Sequence, residues 1–145
     1  MKARTVALLT VILGVFASAN AWAHCEIPCG IYDDHMRIHM IEEHATTIEK
    51  SMNQIVELSG QTPANYNQLV RWVTNKEQHA NELQEIVTQY FMTQRIKPDA
   101  KDYEKKVTLL HKMLLAAMKC KQTTDIANVK ELRTLTSEFE GLYFE

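Results

Sequence analysis

Four stretches of this chain repeat apolar residues at alternating steps of three and four, and none alternates apolar with polar residues as a half-buried strand would. In the first, from Asp33 to about Leu58, the residues Ile38, Ile41, Ala45, Ile48, Met52 and Ile55 lay one apolar stripe along a helix. Asp33 and Asp34 stand where a helix start favours negative charge, and Ser59-Gly60 stops it. Thr62-Pro63 then offers an N-cap and a proline at the first position of a second helix. That helix is predicted to run to about Arg95, with Leu69, Val73, Ala80, Leu83, Val87 and Tyr90 facing inward and Lys76 as the one polar intrusion. Lys97-Pro98-Asp99 breaks the chain. A third helix, striped by Tyr103, Val107, Leu110, Leu114 and Ala117, follows to about Lys119. Thr124 is placed to cap a fourth, carrying Ile126, Val129, Leu132, Leu135, Phe139 and Leu142. Four helices joined by short polar links pack most simply as an all-α, up-down-up-down four-helix bundle. With no internal repeat or low-complexity tract, residues 33–145 read as one such domain.

The first 23 residues read differently. Lys2 and Arg4 give a positive start, Val6 to Ala17 is almost wholly apolar, and Ala21-Trp22-Ala23 closes a small-x-small pattern. These features predict a secretory signal peptide, residues 1–23, removed by signal peptidase after Ala23. The apolar run falls short of the roughly 20 residues that a spanning helix needs, so no membrane partner is expected once it is removed. What remains, about 122 residues, is long enough to bury its own core. Loss of Lys2 and Arg4 leaves 14 basic residues against 18 acidic ones, a net charge of about −4. Without a basic stripe interleaved with aromatics, nucleic acid is not an expected partner. Export implies an oxidising compartment, and the periplasm is the one expected. The three cysteines Cys25, Cys29 and Cys120 cannot all pair within one chain.

Cleavage after Ala23 places His24-Cys25-Glu26-Ile27-Pro28-Cys29-Gly30 at a new N-terminus and frees the α-amine of His24. That amine and the Cys25 amide nitrogen close a five-membered chelate ring, and the same nitrogen with the Cys25 sulfur closes another. Ile27-Pro28 turns the chain back, with a cis peptide bond a plausible means, so that Cys29 can take a fourth corner. Gly30 leaves room for close backbone passage. The His24 imidazole is left above the plane. Two nitrogens and two sulfurs in a square with an optional axial imidazole suit nickel or copper rather than tetrahedral zinc. A thioredoxin-like disulfide enzyme is not indicated, because three residues separate the cysteines and the chain shows no strands.

The run His-Cys-x-x-Pro-Cys-Gly-x-Tyr, from His24 to Tyr32, resembles the nickel-binding hook of the nickel-containing superoxide dismutases. The likeness continues through the mature chain, including Lys76-Glu77-Gln78-His79-Ala80 and the break at Lys97-Pro98. The resemblance implies a homohexamer of four-helix bundles with one nickel ion per chain, held by the amine and imidazole of His24, the amide and thiolate of Cys25 and the thiolate of Cys29. It places Tyr32 at the substrate channel and makes superoxide the substrate, converted to oxygen and hydrogen peroxide by Ni(II)/Ni(III) cycling. In well-known members a glutamate of the first helix, supported by an arginine of the second, positions the N-terminal imidazole. Near those places this chain has His39 and His79, beside the turn residue Pro28. His39 is therefore a candidate to orient His24, since metal-bound imidazoles lean on outer partners.

Other readings compete. An exported helical protein can hold nickel or copper on the same hook without turnover, and Cys25 with Cys29 can close a small disulfide. Cys120, at the end of the third helix, reads as a buried or free thiol. His35 and His39 stand four apart, a zinc-compatible spacing with no third ligand nearby in sequence. His44, His79 and His111 read individually as packing or surface residues, and the scattered methionines as core filler rather than copper ligands.

Overall fold

The computed structural model describes residues 32–145, all of whose regular elements are helical. Helix α1, Asp34–Ser59, starts where Asp33 turns its carboxylate onto the Met36 N–H at 2.9 Å, satisfying one of the donors that a helix start leaves unpaired. Its predicted stripe is its buried face: Ile38, Ile41, Ala45, Ile48 and Met52 are in the core, with Ile55 half-buried at the far end.

Helix α2, Tyr66–Glu85, begins later than the sequence suggested. Asn65, not Thr62, caps it by accepting from the Gln68 N–H at 3.2 Å, and Thr62-Pro63 lies in the preceding turn. The asparagine side chain reaches the third helical N–H directly, so the regular hydrogen bonding starts there. Of the residues assigned to its inner face, Val73 is exposed and Leu69 half-buried, while Ala80 and Leu83 are in the core. From Ile86 to Arg95 the helix continues in the wider π form. Its hydrogen bonds there span five residues: Ile96 N–H donates to the Phe91 carbonyl at 2.9 Å, and the Thr93 hydroxyl to that of Thr88 at 2.8 Å. Such a register is rare and often sits at functional sites.

Helix α3, Tyr103–Gln122, follows a turn closed by Ala100 N–H to Lys97 O and an Asp102 in the left-handed region at φ 55°. Helix α4, Ile126–Phe144, is capped by Asp125 rather than Thr124; the Asp125 carboxylate accepts from the Ala127 N–H at 2.9 Å. Each helix packs on the next and α1 also packs on α4, which closes the ring of an antiparallel four-helix bundle. Ile41, Ile48, Met52, Leu83, Phe91, Leu110, Met113, Leu132 and Phe139 fill its interior. Burying each such side chain stabilises the fold by about 1.5–3 kcal/mol.

Lys76 is 3% exposed, and its role is structural. Its ammonium donates to the Cys120 carbonyl at 2.6 Å, to the Lys121 carbonyl and to Glu77 at 3.1 Å. The last turn of α3 has carbonyls without helical partners and carries the negative end of the helix dipole, and a buried cation answers both. Cys120 beside it is a free, fully buried thiol, and burial pushes its pKa up to about 11. Among the described residues no buried side-chain polar atom lacks a partner, and no helix is long and apolar enough to cross a membrane.

Candidate metal centre and the network at the start of the first helix

His24, Cys25, Pro28, Cys29 and Gly30, with the proposed turn at Ile27-Pro28, lie outside the described residues. Tyr32, the last residue of the hook motif, lies within them. Its ring meets the ring of Tyr90 edge-on at 6.1 Å, and the Arg95 guanidinium covers it at 4.5 Å. Two residues further, Asp34 opens α1 and collects ligands from two other segments. Tyr90 Oη donates to its Oδ1 at 2.5 Å and Tyr143 Oη to its Oδ2 at 2.8 Å. Arg95 grips both oxygens, Nε to Oδ1 at 2.9 Å and an Nη to Oδ2 at 2.7 Å.

This network ties the start of α1 to the π segment and to the end of α4. Asp34 is 15% exposed at its side chain. Burial by itself would raise its pKa, but the hydrogen bonds from Arg95, Tyr90 and Tyr143 and the Arg95 charge outweigh it, so the carboxyl sits below its usual range. Burial, reinforced by the Asp34 charge, pushes Tyr90 and Tyr143 each up to about 12. The Arg95 pKa is raised by its bonds to Asp34. Arg37 lies over the other side of this cluster, 4.8 Å from the Tyr90 ring centre. Behind it Phe91, Phe139 and Tyr143 form a packed aromatic group with centroids 5.0–5.5 Å apart.

A cavity of about 250 Å³ adjoins this network and shares two of its residues, being lined by Arg37, Met40, His44, Glu82, Glu85, Ile86 and Tyr90. His44 meets His79 at its edge, Nδ1 to Nδ1 at 2.8 Å, and Glu82 Oε2 lies 3.5 Å from the first and 3.7 Å from the second. His39, the other histidine singled out in sequence, is exposed in a surface depression with Met36, Glu42, Glu43, Thr46 and Thr47. The structure does not bring His39 and His79 together; His79 pairs instead with His44. His35 stacks on Phe144 at 3.8 Å.

Sequence reading treated Asp34 only as a helix-start charge and Tyr143 not at all. Neither carries a local signal, because their partners lie 56 to 109 residues away. For His79 and Glu82 the three-residue spacing on one helix face was available, but His44 joins them only through packing.

The fold defines an all-helical protein, an antiparallel four-helix bundle whose first helix is pinned by the half-buried Asp34 carboxylate, with a His-Cys-x-x-Pro-Cys run that offers potential metal donors preceding it in sequence. The family model of nickel-containing superoxide dismutase matches residues 19–145, which takes in the hook motif and the whole bundle, and the chain belongs to that family. It is accordingly an oxidoreductase that acts on superoxide with a nickel cofactor. No match was found among curated proteins or among solved structures. The side-chain chemistry of the motif fits nickel: two thiols and an imidazole stand within the six consecutive residues His24 to Cys29.

Proposed function

We propose that the chain disproportionates superoxide with one nickel ion per chain bound at a processed N-terminus, by the amine and imidazole of His24, the amide and thiolate of Cys25 and the thiolate of Cys29. When bound, nickel supplies a one-electron couple, Ni(II)/Ni(III), that accepts an electron from one superoxide and returns it to a second. The observation that carries this reading is that the family match spans the hook while Tyr32, its last residue, is seated against Tyr90 and Arg95 at the end of the bundle.

The remaining work falls to the chain. Arg95 over Tyr32, its charge offset by Asp34, and Arg37 over the neighbouring Tyr90 put two guanidinium groups beside these rings, which favours local approach of a small anion although the chain is net negative. Tyr90 and Tyr143 hold their protons up to about pH 12 and give them to Asp34 in hydrogen bonds, so they position the network rather than deliver protons to peroxide. Tyr32, at the channel in this reading, bound water or a thiolate supplies those protons.

Removal of residues 1–23 by signal peptidase completes the donor set by freeing the His24 amine, and couples activity to export, with the periplasm as the working compartment. The active assembly in this reading is a homohexamer. The test is one preparation with its authentic N-terminus, shown by mass to start at His24, in which nickel per chain, superoxide decay and sedimentation are measured together. Stoichiometric nickel with fast decay is expected. Nickel without decay would assign the hook to storage, and an intact Cys25–Cys29 bond without nickel would assign it to structure. A variant with one extra residue before His24 should lose activity, because its amine is displaced from the ligand position.

A further inference from the structure

His44 on α1 and His79 and Glu82 on α2 bring three ligand atoms within 4.8 Å of one another. Their separations are 2.8, 3.5 and 3.7 Å. Ligands about 2.0–2.1 Å from a tetrahedral zinc ion lie about 3.3 Å apart, so these atoms already span close to one face of such a tetrahedron. We propose that His44, His79 and Glu82 form a binding site for a divalent transition-metal ion, with zinc the ion its two imidazoles and one carboxylate favour, additional to the donors of the N-terminal hook.

Three observations support it. The donors sit on rigid elements: His79 and Glu82 are three residues apart on one helix face, and His44 is held across from them on a packed neighbour. Exposure is graded, 13% for His44, 26% for His79 and 39% for Glu82, so the site is closed on the core side and open towards solvent. The cavity of about 250 Å³ beside His44 and Glu82 leaves space for a water or a small anion as fourth ligand. Charge and protonation agree with this placement. Glu82 and Glu85 line the cavity against the single cation Arg37. Burial and the neighbouring His79 lower the His44 pKa, which keeps its imidazole neutral and its lone pair free for a metal at neutral pH. Without an ion the two ring nitrogens share one proton in a hydrogen bond; with one, both lone pairs turn to the metal.

The proposal does not rest on the nickel reading, and the experiment separates the two. The mature chain carrying Cys25→Ser and Cys29→Ser, which lacks the hook thiolates, is dialysed against zinc and analysed for metal content, with cobalt(II) as a spectroscopic substitute whose visible bands report tetrahedral geometry. About one zinc per chain and tetrahedral cobalt bands are expected. Adding His79→Gln or Glu82→Gln, both partly exposed and so tolerated by the fold, should weaken zinc binding by at least roughly tenfold while the helical circular dichroism stays unchanged. Absence of zinc from the double serine variant overturns the proposal, and so does zinc binding that persists undiminished with His79→Gln, which would assign it to what remains of the hook. Zinc at this site in a chain whose intact hook takes no nickel would support the site and refute the hook reading alone.

Discussion

Replacing Asp34 by asparagine probes the junction between the start of α1, the π segment and the end of α4. The carboxylate accepts four hydrogen bonds, two from the Arg95 guanidinium and two from the phenols of Tyr90 and Tyr143. Asparagine keeps one acceptor oxygen but turns an NH₂ group towards donors and leaves the Arg95 charge without its partner. A hydrogen bond to a charged group contributes about 1.5–3 kcal/mol, and breaking a fully buried pair costs about 3–5 kcal/mol. Arg95 is 29% exposed and stays partly hydrated, and bonds in one network do not add, so the expected loss is about 2–4 kcal/mol. Urea unfolding of the metal-free chain followed by circular dichroism measures it. Because the folded-state pKa of Asp34 is depressed, its contribution is present above the unfolded value near 3.8 and is lost as pH falls through the folded one. The gap between native and variant proteins should therefore hold from neutral pH down to about pH 4 and narrow in stronger acid. Spectrophotometric titration gives a second readout: without the Asp34 charge, Tyr90 and Tyr143 should ionise below their present value of about 12. A loss under about 0.5 kcal/mol at pH 7, or a gap that does not narrow in acid, would refute the argument.

Three further outcomes follow from the same structure. Lys76→Met leaves the Cys120 and Lys121 carbonyls without their donor and should lower stability by about 1–3 kcal/mol in urea unfolding, with helix content retained. In a chain whose hook cysteines are serine, Cys120 should resist a thiol reagent at neutral pH until the protein unfolds, since burial holds its pKa at about 11; prompt labelling of the native chain would contradict this. His39→Ala should alter activity and the nickel spectra if His39 orients His24, whereas unchanged spectra would leave His39 as the exposed surface residue its position describes.

Much of this protein can be read along the chain because its controlling interactions are local. Helical spacing of apolar residues depends only on 3.6-residue periodicity, so Ile38 to Met52 and Val129 to Phe139 mark buried faces without knowledge of their partners. Cap positions are local too but degenerate, which is why Asn65 and Asp125 start helices assigned to Thr62 and Thr124. The hook motif is legible because its donors are neighbours in sequence and chelation needs no tertiary contact. What packing alone decided is how residues far apart in sequence meet. The π register over Ile86–Arg95 sets the segment from which Tyr90 and Arg95 reach Asp34, and the antiparallel pairing of α1 and α2 joins His44 to His79 across 35 residues. Helix periodicity says which face is buried, but not which residue on the next helix stands opposite; that register is settled by side-chain packing over the whole core. The hook motif is thus written in the sequence, while the network around the half-buried Asp34 carboxylate and the His44–His79 pair exist only in the folded chain.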